Sequence, residues 1–198
     1  MLPERAALWE EESTFLIADP HFGKEDSFRA SGIAVPSGGL ESDLQRLSSI
    51  LECEAPKRLI ILGDFFHTKK SQSDETLSLL RAWRKGLAQV DILLIRGNHD
   101  LHSGSPPQDL RIRDAGASIE IGNLHLAHET NADEETPTIC GHVHPVIKLR
   151  DPTGAKMRLP CFWQSTNRLV LPSFGGFTGG FEISPGINDK VYAVGEGE

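Results

Sequence analysis

The sequence predicts an α/β domain in which two β-sheets pack face to face and helices lie outside them. In the first half, short apolar runs are continuous rather than alternating, which is typical of strands buried on both faces. Between these runs lie stretches whose apolar residues have helical spacing. After Gly116 the chain consists of short apolar runs separated by Gly, Pro and Asn, a pattern typical of strands joined by tight turns.

The first half alternates strand and helix. Residues 14–18, 59–62 and 92–95 are predicted as buried strands, each followed by polar residues. Residues 42–52 and 73–89 are predicted as the helices between them, with Ser73 at the N-cap of the second helix. We therefore expect the order β-α-β-α-β.

The second half is predicted to be mostly strand. The expected strands are 118–121, 124–127, 138–140, 146–149, 157–163, 168–171 and 190–194. A length of 198 residues suits a single core of ordinary size. We therefore expect one domain over residues 1–198. Residues 22–39 and 162–180 are expected to be loops that decide substrate choice.

Composition and charge restrict the partners and the location that we expect for the chain. The chain has 20 Lys plus Arg against 28 Asp plus Glu, a net charge of -8, which argues against a broad basic face for nucleic acid. No apolar run exceeds four residues, so a membrane-spanning helix and a membrane partner are not expected. The acidic N-terminal segment has no apolar stretch of signal-peptide length, and a cytoplasmic location is expected.

Residues of metal-ligand type collect where the predicted strands end. Six of the eight histidines fall in five short segments. The segments are D-x-H (Asp19, His21), G-D-x-x-H (Asp64, His67), G-N-H-D (Asn98, His99, Asp100), the lone His128, and G-H-x-H (His142, His144). Histidines scattered over a surface would not collect in this way, so the pattern predicts a metal site.

The donor types favour two ions. An Asn oxygen, imidazoles and carboxylates without thiolate suit Mn²⁺, Fe or Zn²⁺ in a crowded site better than they suit a structural zinc. The candidate ligands are too many for one tetrahedral ion and suit two ions that share a carboxylate. If the chain is extended there, Asp19 and His21 project to the same side, and so do His142 and His144. Two ions that share a water molecule serve hydrolysis of a phosphate ester.

The five segments, in this order, resemble the calcineurin-like metallophosphoesterase superfamily. The resemblance implies a four-layer α/β/β/α sandwich of two mixed β-sheets flanked by helices, with the metal site at the C-terminal ends of the strands. It implies one ion on Asp19, His21, Asp64 and His144, and a second ion on Asp64, Asn98, His128 and His142. It also makes His99 the residue that protonates the leaving oxygen or stabilises charge on the phosphoryl group, with Asp100 orienting and charging its imidazole.

Two further residues are expected near this site. His67 is expected to form a hydrogen bond with a ligand side chain. Arg96, directly before the G-N-H-D segment, is expected either to bind a phosphate oxygen or to be an ordinary surface residue.

Further segments restrict the resemblance to one branch of the superfamily. They are LIADPHFGK, GDFFH, RGNHD, GHVHP, RLPCFW and LPSFGGFTGG. Together they resemble the bacterial ligase-associated DNA-damage-response endonucleases of the PdeM type. This implies a manganese-dependent phosphodiesterase, with DNA as substrate, that acts by in-line attack of a metal-bridging hydroxide. It also implies functional association with a DNA ligase, a DEXH-box helicase and an exonuclease.

Two alternatives stay open. One is hydrolysis of a small phosphodiester or pyrophosphate, such as a cyclic nucleotide or a nucleotide-sugar lipid precursor. Residues 66–91 supply only one predicted helix, which leaves an open cleft that admits a polymer or a small molecule. The other alternative is a non-catalytic scaffold of the same fold. The intact set of ligand types and His99 argue against a scaffold.

Overall fold

The computed structural model describes residues 1–130, 135–150 and 153–195. Its strands are β1 (Ala7–Trp9), β2 (Thr14–Ala18), β3 (Arg58–Leu62), β4 (Asp91–Ile95), β5 (Ile112–Asp114), β6 (Ser118–Ile121), β7 (Leu124–Ala127), β8 (Thr138–Cys140), β9 (Pro145–Arg150), β10 (Lys156–Gln164), β11 (Arg168–Val170), β12 (Phe181–Glu182) and β13 (Lys190–Ala193). Its α-helices are α1 (Lys24–Arg29), α2 (Gly39–Glu54), α3 (Asp74–Gly86) and α4 (Asp100–Ser103), and short 3-10 turns occupy Lys69–Ser71 and Gln108–Leu110.

The first sheet has five strands in sequence order, β1 to β5. Strands β2 to β5 run parallel, and β1 is antiparallel to β2. Because β2 and β3 are covered on both faces of the sheet, they carry apolar side chains on both faces. Phe15 and Ile61 lie in the core on the helical side, while Leu16 and Ile60 lie in the core between the sheets.

Helices α2 and α3 cover the outer face of the first sheet. Leu47 of α2 and Leu80 of α3 are fully buried in this core. The predicted cap of α3 is present, since the Ser73 hydroxyl accepts the backbone N–H of Thr76 at 3.1 Å. All four α-helices lie between Lys24 and Ser103 in the sequence, and no helix in the described part of the chain is long and apolar enough to cross a membrane.

The second sheet is mixed and has eight strands, in the order β12-β9-β10-β11-β8-β7-β6, with β13 also paired to β10. Its inner residues Leu126, Phe162 and Leu171 pack against Leu16 and Ile60 of the first sheet. The two mixed sheets that pack face to face and their flanking helices confirm the predicted fold class.

The structure also contains elements that the sequence patterns miss. Residues 22–39, expected to be a loop, include helix α1, which follows Gly23 in a left-handed conformation. This helix has six residues, too few to show a helical repeat of apolar positions. Strand β1 lies within a short apolar run at residues 6–9, and strands β5 and β12 have only three and two residues and no apolar run to mark them.

The core beneath the first sheet should determine the stability of the domain. Leu47→Ala would remove a fully buried side chain from α2, and we expect a loss of about 3 kcal/mol in the free energy of unfolding. Chemical denaturation checks this value. Gln45→Ala, on the exposed face of the same helix, is the control and should change stability by less than about 0.5 kcal/mol. Equal losses for the two variants would contradict the assignment of this core.

Candidate metal centre

The predicted ligands lie in loops at one edge of the two sheets. Asp19, Asp64 and Asn98 follow the parallel strands β2, β3 and β4, so their loops meet at the carboxyl edge of the first sheet. His128 and His142 follow β7 and β8, which are parallel to each other in the second sheet. A bridge between Ala18 and Ser173 joins this edge to the loop after β11.

The first cluster of donors contains Asp19, His21 and His144. The Nε2 atoms of His21 and His144 lie 3.4 Å apart, and Asp19 Oδ1 lies 3.4 Å from His144 Nε2. The three donor atoms all lie within 4.8 Å of one another. Asp19 and His21 are buried, so the cluster has little access to water except past His144.

The second cluster contains Asn98, His128 and His142. Asn98 Oδ1 lies 3.0 Å from His128 Nε2 and 3.1 Å from His142 Nδ1, and the two imidazole nitrogens are 3.0 Å apart. Asp64 lies between the clusters. Its Oδ2 is 3.6 Å from His128 Nε2 and 3.7 Å from His21 Nε2. All seven residues predicted as ligands therefore converge on one place.

The protonation states of the imidazoles fit a metal. Nδ1 of His128 lies 3.0 Å from the Leu62 carbonyl, and Nδ1 of His144 lies 3.2 Å from the Gly179 carbonyl. A carbonyl only accepts, so each Nδ1 carries the proton and each Nε2 presents a lone pair. Asp19 Oδ1 is buried and has no hydrogen-bond donor among the described residues. Imidazole lone pairs and carboxylate oxygens that face one another repel, and a divalent cation bound between them would remove this repulsion.

Burial keeps His21 of the first cluster in the state that binds metal. Desolvation, with smaller coulombic effects of His144 and Lys24, lowers the pKa of His21 to about 2. His21 is therefore neutral at physiological pH, as a coordinating imidazole must be. Burial raises the pKa of Asp64, and a bound cation would oppose that shift by favouring the carboxylate.

The backbone at the site is not extended, so the geometry expected for the D-x-H and G-H-x-H pairs is wrong. Asp19, His21, Asp64, His142 and His144 all have φ between 46° and 69°, in the left-handed region. Non-glycine residues rarely adopt this region, and each such residue costs roughly 1 kcal/mol or more. The paired side chains still meet because the loops turn sharply, not because residues two apart share the side of a strand.

Three motif glycines are required by close packing. A Cβ at Gly97 would overlap the carboxylate and the backbone nitrogen of Asp64. A Cβ at Gly141 would overlap the Asp19 carboxylate, and one at Gly63 would overlap the His128 ring. Each glycine therefore lets one strand-end loop lie directly against a candidate ligand from another loop.

His99 lies at the exposed side of the centre. Its Nδ1 is 2.6 Å from the backbone carbonyl of His67, which leaves Nε2 directed to the centre, 4.0 Å from Asp64 Oδ2. The His67 ring stacks on His99 with centroids 4.9 Å apart. The side chain of His67 has no hydrogen bond to a candidate ligand, because its buried Nδ1 has no partner among the described residues. Its carbonyl, rather than its ring, supports the site.

Asp100 does not contact the imidazole of His99, which corrects the role that the resemblance implies. One carboxylate oxygen accepts the backbone N–H groups of Asp64 and Gly97, each at 2.8 Å, and the other accepts that of Phe65 at 3.0 Å. Successive residues at the start of helix α4 point in directions about 100° apart, so Asp100 turns inward where His99 faces the centre. Asp100 thereby joins the loops after β3 and β4.

Arg96 also has a partner of its own. Its guanidinium forms a half-exposed ion pair with Asp114 at 3.2 Å, away from the candidate ligands. Lys24, which no sequence motif marks, begins helix α1 and lines a small cavity together with His21. Burial lowers the pKa of Lys24, and burial together with the charge of Lys24 lowers the pKa of His67 to about 4. Lys24 has no ion pair with any described residue.

The two-sheet fold and the Asp, Asn and His donor set define a metal-dependent phosphoesterase. Residues 13–154 match the family model for the calcineurin-like phosphoesterases, and the chain belongs to that family.

The chain is similar to several solved structures. The structure of Pseudomonas putida nuclease MPE is 36% identical, with a TM-score of 0.86 over 98% of this chain and 90% of that chain. The phosphoesterase Yfce from E. coli is 12% identical, covers 81% of this chain and 79% of that chain, and has a TM-score of 0.42. The latter likeness is too distant to carry an argument. No curated protein matches the sequence.

The packing at Gly97 can be tested against a matched glycine. Gly97→Ala would push the Asp64 carboxylate aside, and a displacement of about 1 Å at a reacting centre lowers turnover by roughly 100-fold. Gly86→Ala in α3 has no atom within 4 Å of the new Cβ and should leave turnover unchanged. Phosphodiester turnover and bound metal are measured for both variants. Normal turnover in Gly97→Ala would show that this contact does not position Asp64.

Proposed function

We propose that the protein is a two-metal phosphodiesterase that cleaves DNA. The observation that carries the proposal is the pair of donor clusters that share Asp64 and reach solvent on the side of His142 and His99. One divalent ion would be held by Asp19, His21, Asp64 and His144, and the other by Asp64, Asn98, His128 and His142. When bound, such a pair of ions lowers the pKa of a shared water molecule and neutralises charge on the phosphoryl oxygens. The mixed nitrogen and oxygen donors suit Mn²⁺, Zn²⁺ or Fe, and the sequence resemblance favours Mn²⁺ among them.

His99 is the residue proposed to handle a proton. Its Nδ1–H is held by the His67 carbonyl, so a second proton on Nε2 would face the centre. From there His99 would protonate the leaving oxygen of the phosphodiester, as a general acid does. His99 is about one-third exposed, so a substrate can reach it from solvent. Asp100 is proposed as a positioning residue, because it fixes the loops that carry Asp64 and Asn98.

DNA is the proposed substrate for two reasons. The first is the likeness to the Pseudomonas putida nuclease over nearly the whole chain. The second is the exposure of one side of the centre, where the His142 and His99 side chains retain 37% and 34% of their accessible surface. A polymer can reach such an edge without threading into a closed cavity. Bound cations, with Lys24, would supply local positive charge in a protein of net charge -8.

The wider setting is proposed from the sequence resemblance. It comprises a single-domain enzyme, a cytoplasmic location, a part in DNA repair, and functional association with a DNA ligase, a DEXH-box helicase and an exonuclease. The fold and the site do not bear on these associations, which co-purification from the source cell would test separately.

Asp64 should control binding of both ions. Asp64→Asn keeps the Oδ1 that accepts the His99 amide at 2.9 Å but removes the charge between the clusters. We therefore expect a folded protein that binds neither ion tightly, because one carboxylate serves both sites. Elemental analysis after dialysis against Mn²⁺ measures the number of metal ions bound per chain. Two ions per chain in this variant, as in the wild type, would exclude a bridging role for Asp64.

His99→Ala tests the mechanism and the substrate together. With Mn²⁺, we expect the wild type to cleave labelled DNA and bis-p-nitrophenyl phosphate. The variant should retain its metal but turn over roughly 10² to 10⁴ times more slowly, as for loss of a general acid.

His102→Ala is the matched control for this experiment. His102 is an exposed histidine three residues along the chain, and its loss should have little effect. An unchanged rate in His99→Ala would remove His99 from the mechanism. Turnover of the small diester without DNA cleavage would instead favour a small phosphodiester as the substrate.

A further inference from the structure

Four aromatic rings form a row that leads from the candidate metal centre to the protein surface. The rings of His99 and His67 are stacked, with centroids 4.9 Å apart. Phe28 of helix α1 lies next, 6.1 Å from the His67 ring. Phe177 follows, edge to face with Phe28 at 5.6 Å. The row therefore connects the proposed proton donor to an exposed phenylalanine.

The outer end of the row is part of the site wall and not an isolated surface residue. Phe177 lies two residues before Gly179, whose carbonyl accepts the Nδ1–H of His144. Phe177 and Lys24 also line one small cavity together with His21. The Phe177 side chain is nevertheless 40% exposed, and Phe28 is partly exposed. The exposed part of the Phe177 ring therefore lies beside the candidate centre, where a bound substrate could contact it.

The aromatic side chains of this surface suit the base of a nucleotide. Aromatic side chains bind nucleobases by stacking, and nearby cations hold the phosphates. Lys24 starts the helix that carries Phe28 and has no ion pair with a described residue, so its charge is free to attract a phosphate. The faces of a nucleobase are flat and apolar, so a base attached to the scissile phosphate can stack on the exposed ring of Phe177.

We propose that Phe177 and Phe28 bind the base of a nucleotide next to the scissile phosphate. The inference rests on the proposed function, since it takes DNA as the substrate, and it adds the residues that recognise the base. Phe177 offers the exposed face, and Phe28 supports that ring against the His67 and His99 pair. Base stacking of this kind is tolerant of sequence, because every base has an aromatic face.

Substrates that lack one base separate this role from a structural one. The test compares thymidylyl-thymidine with two analogues in which a tetrahydrofuran replaces one or the other base, all in Mn²⁺. We expect the wild type to lose roughly 10-fold in kcat/KM on one of the two analogues, within the range for one stacked base. Phe177→Ala should lower kcat/KM on the complete dinucleotide by a similar factor and should no longer distinguish it from that analogue.

Two further variants complete the design. Phe177→Trp should restore discrimination, because the larger ring also stacks. Phe181→Ala removes another exposed phenylalanine, from β12, and should behave like the wild type. Rapid mixing with a dinucleotide that carries 2-aminopurine provides a readout other than turnover, since stacking quenches its fluorescence before product forms. The quench should be present in the wild type and lost in Phe177→Ala.

The outcomes distinguish this inference from the proposed function. Equal losses on complete and base-free substrates in Phe177→Ala would mean that the ring only packs its loop, and the inference would be wrong while the nuclease proposal stands. A wild type that cleaves all three dinucleotides equally would have the same meaning. A wild type that cleaves bis-p-nitrophenyl phosphate but no nucleotide substrate would overturn both proposals.

Discussion

The geometry of the site depends on two buried carboxylates that each bind a backbone amide with one oxygen and face the imidazoles with the other. Asp19 Oδ2 accepts the amide of His142 at 2.8 Å, and Asp64 Oδ1 accepts the amide of His99 at 2.9 Å. The first bond ties the two sheets together, and the second ties neighbouring loops of the first sheet. The remaining oxygens cannot turn away, so they are held where cations would bind.

This arrangement is costly without a cation, and the rest of the fold offsets the cost. Left-handed backbone at five candidate ligands and buried acceptors that face one another both oppose folding. The apolar cores on both sides of β2 and β3 hold the loops in place. Asp100 adds three backbone hydrogen bonds across the loops after β3 and β4. Metal binding would then stabilise the folded state as well as enable chemistry.

Much of this structure could be predicted from the sequence, because its main signals are local. Continuous apolar runs mark strands buried on both faces, and residue type and order mark the ligands. The support for the ligands could not be predicted in this way. Carbonyls of Leu62, His67 and Gly179 fix the imidazoles, and no sequence pattern marks a carbonyl. The imidazole of His99 was the wrong partner for Asp100, because side chains of adjacent residues at the start of a helix point in different directions.

Charge and shape act together at this edge of the sheets. An acidic chain gains little from long-range attraction to a polyanion, and its substrate must be held by short-range contacts. Cations bound in the two clusters and Lys24 would concentrate positive charge where the phosphate lies. The aromatic row from His99 to Phe177 would then hold an uncharged part of the same substrate, independent of net charge and of salt. Such a division of contacts would let a small, acidic domain bind the proposed nucleotide substrate at a single site on this edge.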